Sequence, residues 1–96
     1  MDKKIIDLFK KVLDPETSTS IYDLNLVYGY TLDDNSINIY MNFQNSTPSC
    51  FYCKIIAWNI IEKISNDLIE TFKNSGFIKI RILEAINPNI FYKVYP

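Results

Sequence analysis

Between residues 37 and 43, Ile37, Ile39, Met41 and Phe43 alternate with Asn38, Tyr40 and Asn42. A strict two-residue period puts one face of the segment in a core and the other toward water, so the run reads as a half-buried strand. Asp33-Asp34-Asn35-Ser36 just before it is turn chemistry, and Leu26 to Leu32 reads as the partner strand of an antiparallel hairpin, with Leu26, Tyr28, Tyr30 and Leu32 on one side. No hairpin is stable alone in water, so the remaining chain must cover its apolar face.

Two helical patterns are available for that. Asp2 caps a first helix expected over Lys3 to Leu13, where Ile5, Ile6, Leu8, Phe9, Val12 and Leu13 recur at helical spacing. Pro15 disfavours helical geometry at Asp14 and ends it, and residues 16–20 form a polar loop. Thr47 is a good N-cap with Pro48 at the first helical position, predicting a long helix to about Lys73 that Asn74-Ser75-Gly76 terminates. Phe77 to Leu83 reads as a third strand with Ile78, Ile80 and Ile82 inward and Lys79 and Arg81 outward, and Ile90 to Tyr95 as a short edge strand. The order helix-strand-strand-helix-strand predicts an α+β domain, two helices on one face of a small mixed three- to four-stranded sheet. The helical crossover makes strands two and three parallel, with a right-handed connection. Residues 1–96 form a single domain.

Composition excludes much chemistry. The chain has no histidine, which removes Ser-His-Asp triads, Cys-His pairs and imidazole metal ligands. A net charge of -1 without any Lys/Arg block argues against nucleic acid as a partner. Apolar runs are broken by Asn, Lys or Asp, so no membrane span or signal peptide is expected, and a cytoplasmic location is the default.

The two cysteines, Cys50 and Cys53, are the remaining reactive groups. Cys50 falls in the first turn of the expected helix, where unpartnered N–H groups favour a thiolate. With Cys53 at zero and 100° per residue, Ala57, Ile60, Ile64, Leu68 and Cys50 lie within about 60° of it, on the core-facing stripe. Cys53 is therefore read chiefly as a small buried hydrophobe. Ile55, Trp58 and Ile69 fall on the opposite side. They form either an interface for another protein or subunit, or a patch covered by the Ile90–Tyr95 tail.

Three blocks occur in order: Asp14-Pro15-Glu16, Ile21-Tyr22-Asp23-Leu24-Asn25-Leu26-Val27, and Ser46-Thr47-Pro48-Ser49-Cys50. Together they resemble the SufT/PaaD-type metal–sulfur cluster assembly domains. Those carry a DPE-like turn, a hydrophobic-x-D-L-G-hydrophobic-V run and a T-x-P-x-C-P-like loop opening a helix. The resemblance spans nearly the whole chain. It implies an accessory role in iron–sulfur cluster assembly or transfer rather than an enzyme activity. The implied partners are assembly machinery or recipient apo-proteins, and the implied cargo is a labile iron–sulfur cluster. By position Cys50 matches the family's reactive cysteine and metal ligand, Asp14, Glu16 and Asp23 its acidic turn residues, and Thr47 and Pro48 its loop. Asn25 stands where the family has Gly, and Asn is the next best residue for a left-handed backbone. Phe51 stands where it has Pro, and its P-P-W-like segment is reduced to Pro88-Asn89-Ile90.

One chain has two thiols where a cluster commonly takes four, so a cluster bridged across a homodimer or shared with a partner fits the count. The carboxylates of Asp14, Glu16 and Asp23 either support the thiol or serve as turn and cap groups. Two other classes stand beside this reading. One is a protein-interaction adaptor that kept the fold without cluster binding. The other is a thiol–disulfide enzyme built on Cys50-Phe51-Tyr52-Cys53, which the strand-strand order before the motif disfavours.

Overall fold

A computed structural model describes residues 3–44 and 51–96, with residues 51–57 described as backbone only. The chain runs α1 (Lys3–Lys10), β1 (Val27–Asp33), β2 (Ser36–Met41), α2 (Phe51–Asn74), β3 (Lys79–Glu84) and β4 (Phe91–Tyr95). The four strands form one mixed sheet in the order β1-β2-β3-β4. The β1–β2 and β3–β4 pairs are antiparallel and the β2–β3 pair is parallel, as the crossover helix requires.

The core follows from the central register. Ile37 pairs with Ile80 and Ile39 with Ile82, so four β-branched side chains stack on one face of the two inner strands. All four are buried, together with Met41 and Phe43 of the β2 exit. The same cluster takes in Ile5, Leu8 and Phe9 of α1 and Ile64, Leu68, Ile69 and Phe72 of α2, so both helices serve one face. Phe9 joins the layers: its ring lies 6.1 Å from Tyr30 of β1 and 5.2 Å from Phe72 of α2.

Several expectations need correction. The first helix stops at Lys10, ahead of Pro15. The N–H groups of Lys11 and Val12 close tighter turns onto Leu8 and Phe9, and Leu13 then pairs with Ser20. Recruitment into that bridge, not the proline, ends the helix. In β1 a bulge between Val27 and Gly29 turns Tyr28 away from its neighbours, leaving it 73% exposed while Tyr30 packs on the core. Leu32, at the hairpin tip of this edge strand, is also exposed. Ile78 sits on a bend before β3 and is exposed, its N–H given to the Asn35 carbonyl, so strand parity does not reach it.

Ile69, expected on an outer stripe, is buried in the core. The helix is gripped by the sheet on one side and by α1 on another. Its buried positions Ile64, Ser65, Leu68, Ile69 and Phe72 therefore span about 140° of arc, wider than a one-sided contact needs. Trp58 is 71% exposed near the other end of α2. A helix of 24 residues is about 36 Å long against about 20 Å for β2, more length than one strand can cover. The Phe91–Tyr95 tail pairs with β3 as an edge strand and leaves Trp58 open.

The end of α2 follows its sequence closely. Gly76 has φ 107°. Its N–H reaches the Lys73 carbonyl and that of Phe77 reaches Phe72, with the Phe72 and Phe77 rings 5.6 Å apart. This is the double hydrogen bond and apolar contact of a Schellman stop. Gly76→Ala is expected to cost about 1 kcal/mol in urea denaturation, because an L side chain rarely adopts this backbone. No loss of stability would show that the stop does not depend on glycine.

Candidate functional site

The parallel pair sets one end of the sheet apart. There β2 and β3 both leave the sheet, β1 and β4 both enter it, and α2 starts its return path. In open sheets the carboxyl ends of parallel strands are where connecting segments diverge and ligands are taken up. Cys50 immediately precedes Phe51, the first residue of α2. Cys50, Thr47 and Pro48 lie outside the described residues, and the side chains of Cys53 and Ile55 are likewise outside what is described.

The acidic turns resolve into local structure. Asp14 Oδ2 accepts the Thr17 hydroxyl at 2.9 Å, while its backbone N–H reaches the Thr19 carbonyl and its carbonyl accepts the Ser18 N–H. Asp14 thus closes the 14–19 loop, the cap role that its residue type favours. Glu16 is exposed on that loop. Asp23 is exposed as well and gives its N–H to Ser20 Oγ at 3.0 Å. Among the described residues no group of three or more Cys, Asp or Glu side chains is gathered to hold a metal ion. Asp14, Glu16 and Asp23 are not brought together as a ligand set.

The turn after Asp23 leads into the divergent end. Asn25 has φ 58°, the left-handed conformation expected at this position. It lets Leu26 donate its N–H back to the Ile21 carbonyl while its own carbonyl accepts the Asn42 N–H at 2.7 Å, tying the turn to the β2 exit.

On the other side of that exit lies a residue that the sequence reading passed over. Glu84, the last residue of β3, is fully buried. Its Oε1 accepts the Gln44 N–H at 3.0 Å and the Tyr92 hydroxyl at 2.7 Å, and its Oε2 accepts the Ile86 N–H at 3.0 Å. A carboxylate taken from water needs such donors. Burial first, then the bond to Glu84 and its charge, push the Tyr92 phenol well above its ordinary value. The Tyr92 ring also meets Phe43 edge-on, centroids 4.9 Å apart. One signal pointed here: Glu84 shares strand parity with Ile80 and Ile82, so its carboxylate had to face inward.

The fold is thus a helix-covered mixed sheet whose two inner, parallel strands both leave it at one end. A family model described as iron-sulfur cluster assembly protein matches residues 2–71, and the chain belongs to that family. The membership supports a role in iron–sulfur cluster assembly. No curated protein and no solved structure matches the chain. Among the described residues no helix is long and apolar enough to cross a membrane.

Proposed function

We propose that the protein is a non-catalytic accessory factor that receives or passes on an iron–sulfur cluster, with Cys50 as its thiolate ligand. The observation that carries this reading is the family match over the segment containing Cys50, joined to the position of that residue directly before α2. Unpartnered N–H groups at a helix start stabilise a thiolate, the form that binds iron. Two thiols per chain leave a four-thiolate set incomplete, so the remaining ligands come from a second copy, an assembly factor or a recipient apo-protein. Incomplete ligation suits a carrier, because cargo held by few bonds exchanges readily.

Anaerobic reconstitution with iron and sulfide tests the reading. The wild type is expected to gain visible absorbance and Cys50→Ala to lose all of it. A chromophore that persists in Cys50→Ala, or none in wild type at any iron ratio, overturns it. The adaptor reading rests on Trp58, an indole exposed on α2. It predicts a pull-down that survives Cys50→Ala and fails with Trp58→Ala.

A further inference from the structure

We propose that the uncovered face of the sheet is a self-association surface: a second copy of this chain packs onto it face to face, about a two-fold axis parallel to the strands. The inference goes beyond the reading of Cys50 and stands with or without a cluster.

Ile37, Ile39, Ile80 and Ile82 point to the face that the helices cover, so the alternate residues of β2 and β3 point to the other. Among the described residues both helices pack on the first face, which leaves the second without a helix. Strand register lays that second face out in rows. Asp33, Ser36 and Lys79 share the row nearest the hairpin turn. Thr31, Asn38, Arg81 and Val94 share the next. Gly29, Tyr40, Leu83 and Phe91 share the third, at the end where β2 and β3 leave the sheet. The face thus grades from charged to apolar along the strands. Leu83 is only 7% exposed yet lies outside the core cluster, so it anchors an apolar patch of its own on this side. Phe91 and Val94 beside it are 54% and 48% exposed, and Tyr28, set out by the bulge next to Gly29, adds another large side chain in water. The open side of such a sheet is ordinarily polar, and apolar residues gathered on it mark a contact surface.

Symmetry and charge select a second copy as the occupant. A two-fold axis parallel to the strands, between β2 and β3, sets β2 over the partner's β3 and β1 over its β4, and returns every row to itself. The apolar row then closes on its own copy, with Tyr40 over the partner's Leu83 and Gly29 over the partner's Phe91. A Cβ at Gly29 would meet nothing within 4 Å, so this position is an open notch for that ring. In the other rows Lys79 falls beside the partner's Asp33, and Arg81 over the partner's Asn38. Among the described residues neither cation makes an ion pair. Asn38 gives its Nδ2 to Thr31 Oγ1 at 3.2 Å, which leaves its Oδ1 to accept from the guanidinium. An axis across the strands would instead set the apolar row on the charged row and Arg81 on its own copy. An acidic protein would leave Asp33 unmatched, and a nucleic acid would meet Asp33 and Asp34 on the same edge.

Four strands about 4.8 Å apart and about 20 Å long give a face of about 400 Å² in plan. Two such faces bury on the order of 1,000 Å², the low end for a specific interface, so the dimer is reversible. Both helix layers face outward from it.

Sedimentation velocity of the full chain between about 10 µM and about 1 mM tests this, together with amide chemical shifts over the same dilution. Wild type is expected to pass from monomer to dimer. On dilution the amides of Asn38, Arg81 and Val94 shift, and those of Lys63 and Asp67 on α2 do not. Arg81→Glu and Phe91→Glu, both at exposed positions, weaken the dimer about tenfold or more. Lys63→Glu, the same charge change on the outward helix, keeps the wild-type dissociation constant. Lys79→Asp weakens the dimer, and adding Asp33→Lys to it restores association, because the two-fold places these positions side by side.

A wild type that stays monomeric to about 1 mM overturns the proposal, as do Arg81→Glu and Phe91→Glu that dimerise like wild type. Failure of the Asp33–Lys79 exchange to restore association overturns the two-fold arrangement. Should a variant not fold, the wild-type dilution shifts decide: shifts confined to α2 place the contact elsewhere. Face amides of a monomeric wild type that move with polyuridylate or polyglutamate give the surface to nucleic acid or to an acidic protein segment, and sink the dimer. None of these outcomes bears on cluster uptake, which Cys50→Ala judges separately.

Discussion

Replacing Phe72 with alanine is expected to cost about 3–5 kcal/mol of folding stability, the range for deleting a buried aromatic ring. Phe72 is fully buried in the last turns of α2. Its ring lies 5.2 Å from Phe9 and 5.6 Å from Phe77, so it joins α1, α2 and the segment entering β3. The cavity cannot close easily, because Phe9 is also held near Tyr30 and Phe77 near the Schellman stop. A domain of 96 residues has a total stability of about 5–14 kcal/mol, so the variant loses from about a fifth of it to nearly all of it. Urea denaturation checks this, and a loss below about 1 kcal/mol would show that the three rings do not pack as a unit.

Tyr92→Phe is the second large effect, with a pH signature. The phenol donates to a carboxylate with no access to water, and its loss is expected to cost about 1.5–3 kcal/mol at pH 7, as for a hydrogen bond to a charged group. The phenol is pushed above its ordinary value in the folded chain, so the folded state holds its proton more tightly than the unfolded state does. That stabilisation is fully present below the unfolded phenol value of about 10 and is lost as pH rises from there toward the folded value. Wild-type melting temperature should therefore fall more steeply above about pH 10 than that of Tyr92→Phe, narrowing the gap between them. Thermal melts from pH 7 to 11 read both curves, and parallel slopes would show that Tyr92 is not the group responsible.

Features set by neighbouring residues were legible in the chain. The alternation at Ile37–Phe43, the parallel partner Ile80–Ile82, the left-handed Asn25 and the glycine stop at Gly76 all depend on strand period or on backbone freedom at one position. Features set by who packs against whom were not. Ile69 became core because a second helix covers that side of α2, and Tyr28 was turned out by a one-residue bulge. Of the candidate site, the sequence pointed to Cys50 and to three acidic residues. The fold uses Asp14 as a loop cap and leaves Glu16 and Asp23 in solvent.

The amino-acid order alone pointed to the α+β architecture, the β1–β2 hairpin, the parallel β2–β3 pair and the family, through periodicity, turn chemistry, the order of the elements and motif spacing. Strand parity turned Glu84 inward, but only the tertiary structure decided that it would bind Gln44, Ile86 and Tyr92. The reason is reach: Gln44 and Glu84 stand 40 residues apart, and they meet only because the crossover helix lays β3 beside β2 in parallel register.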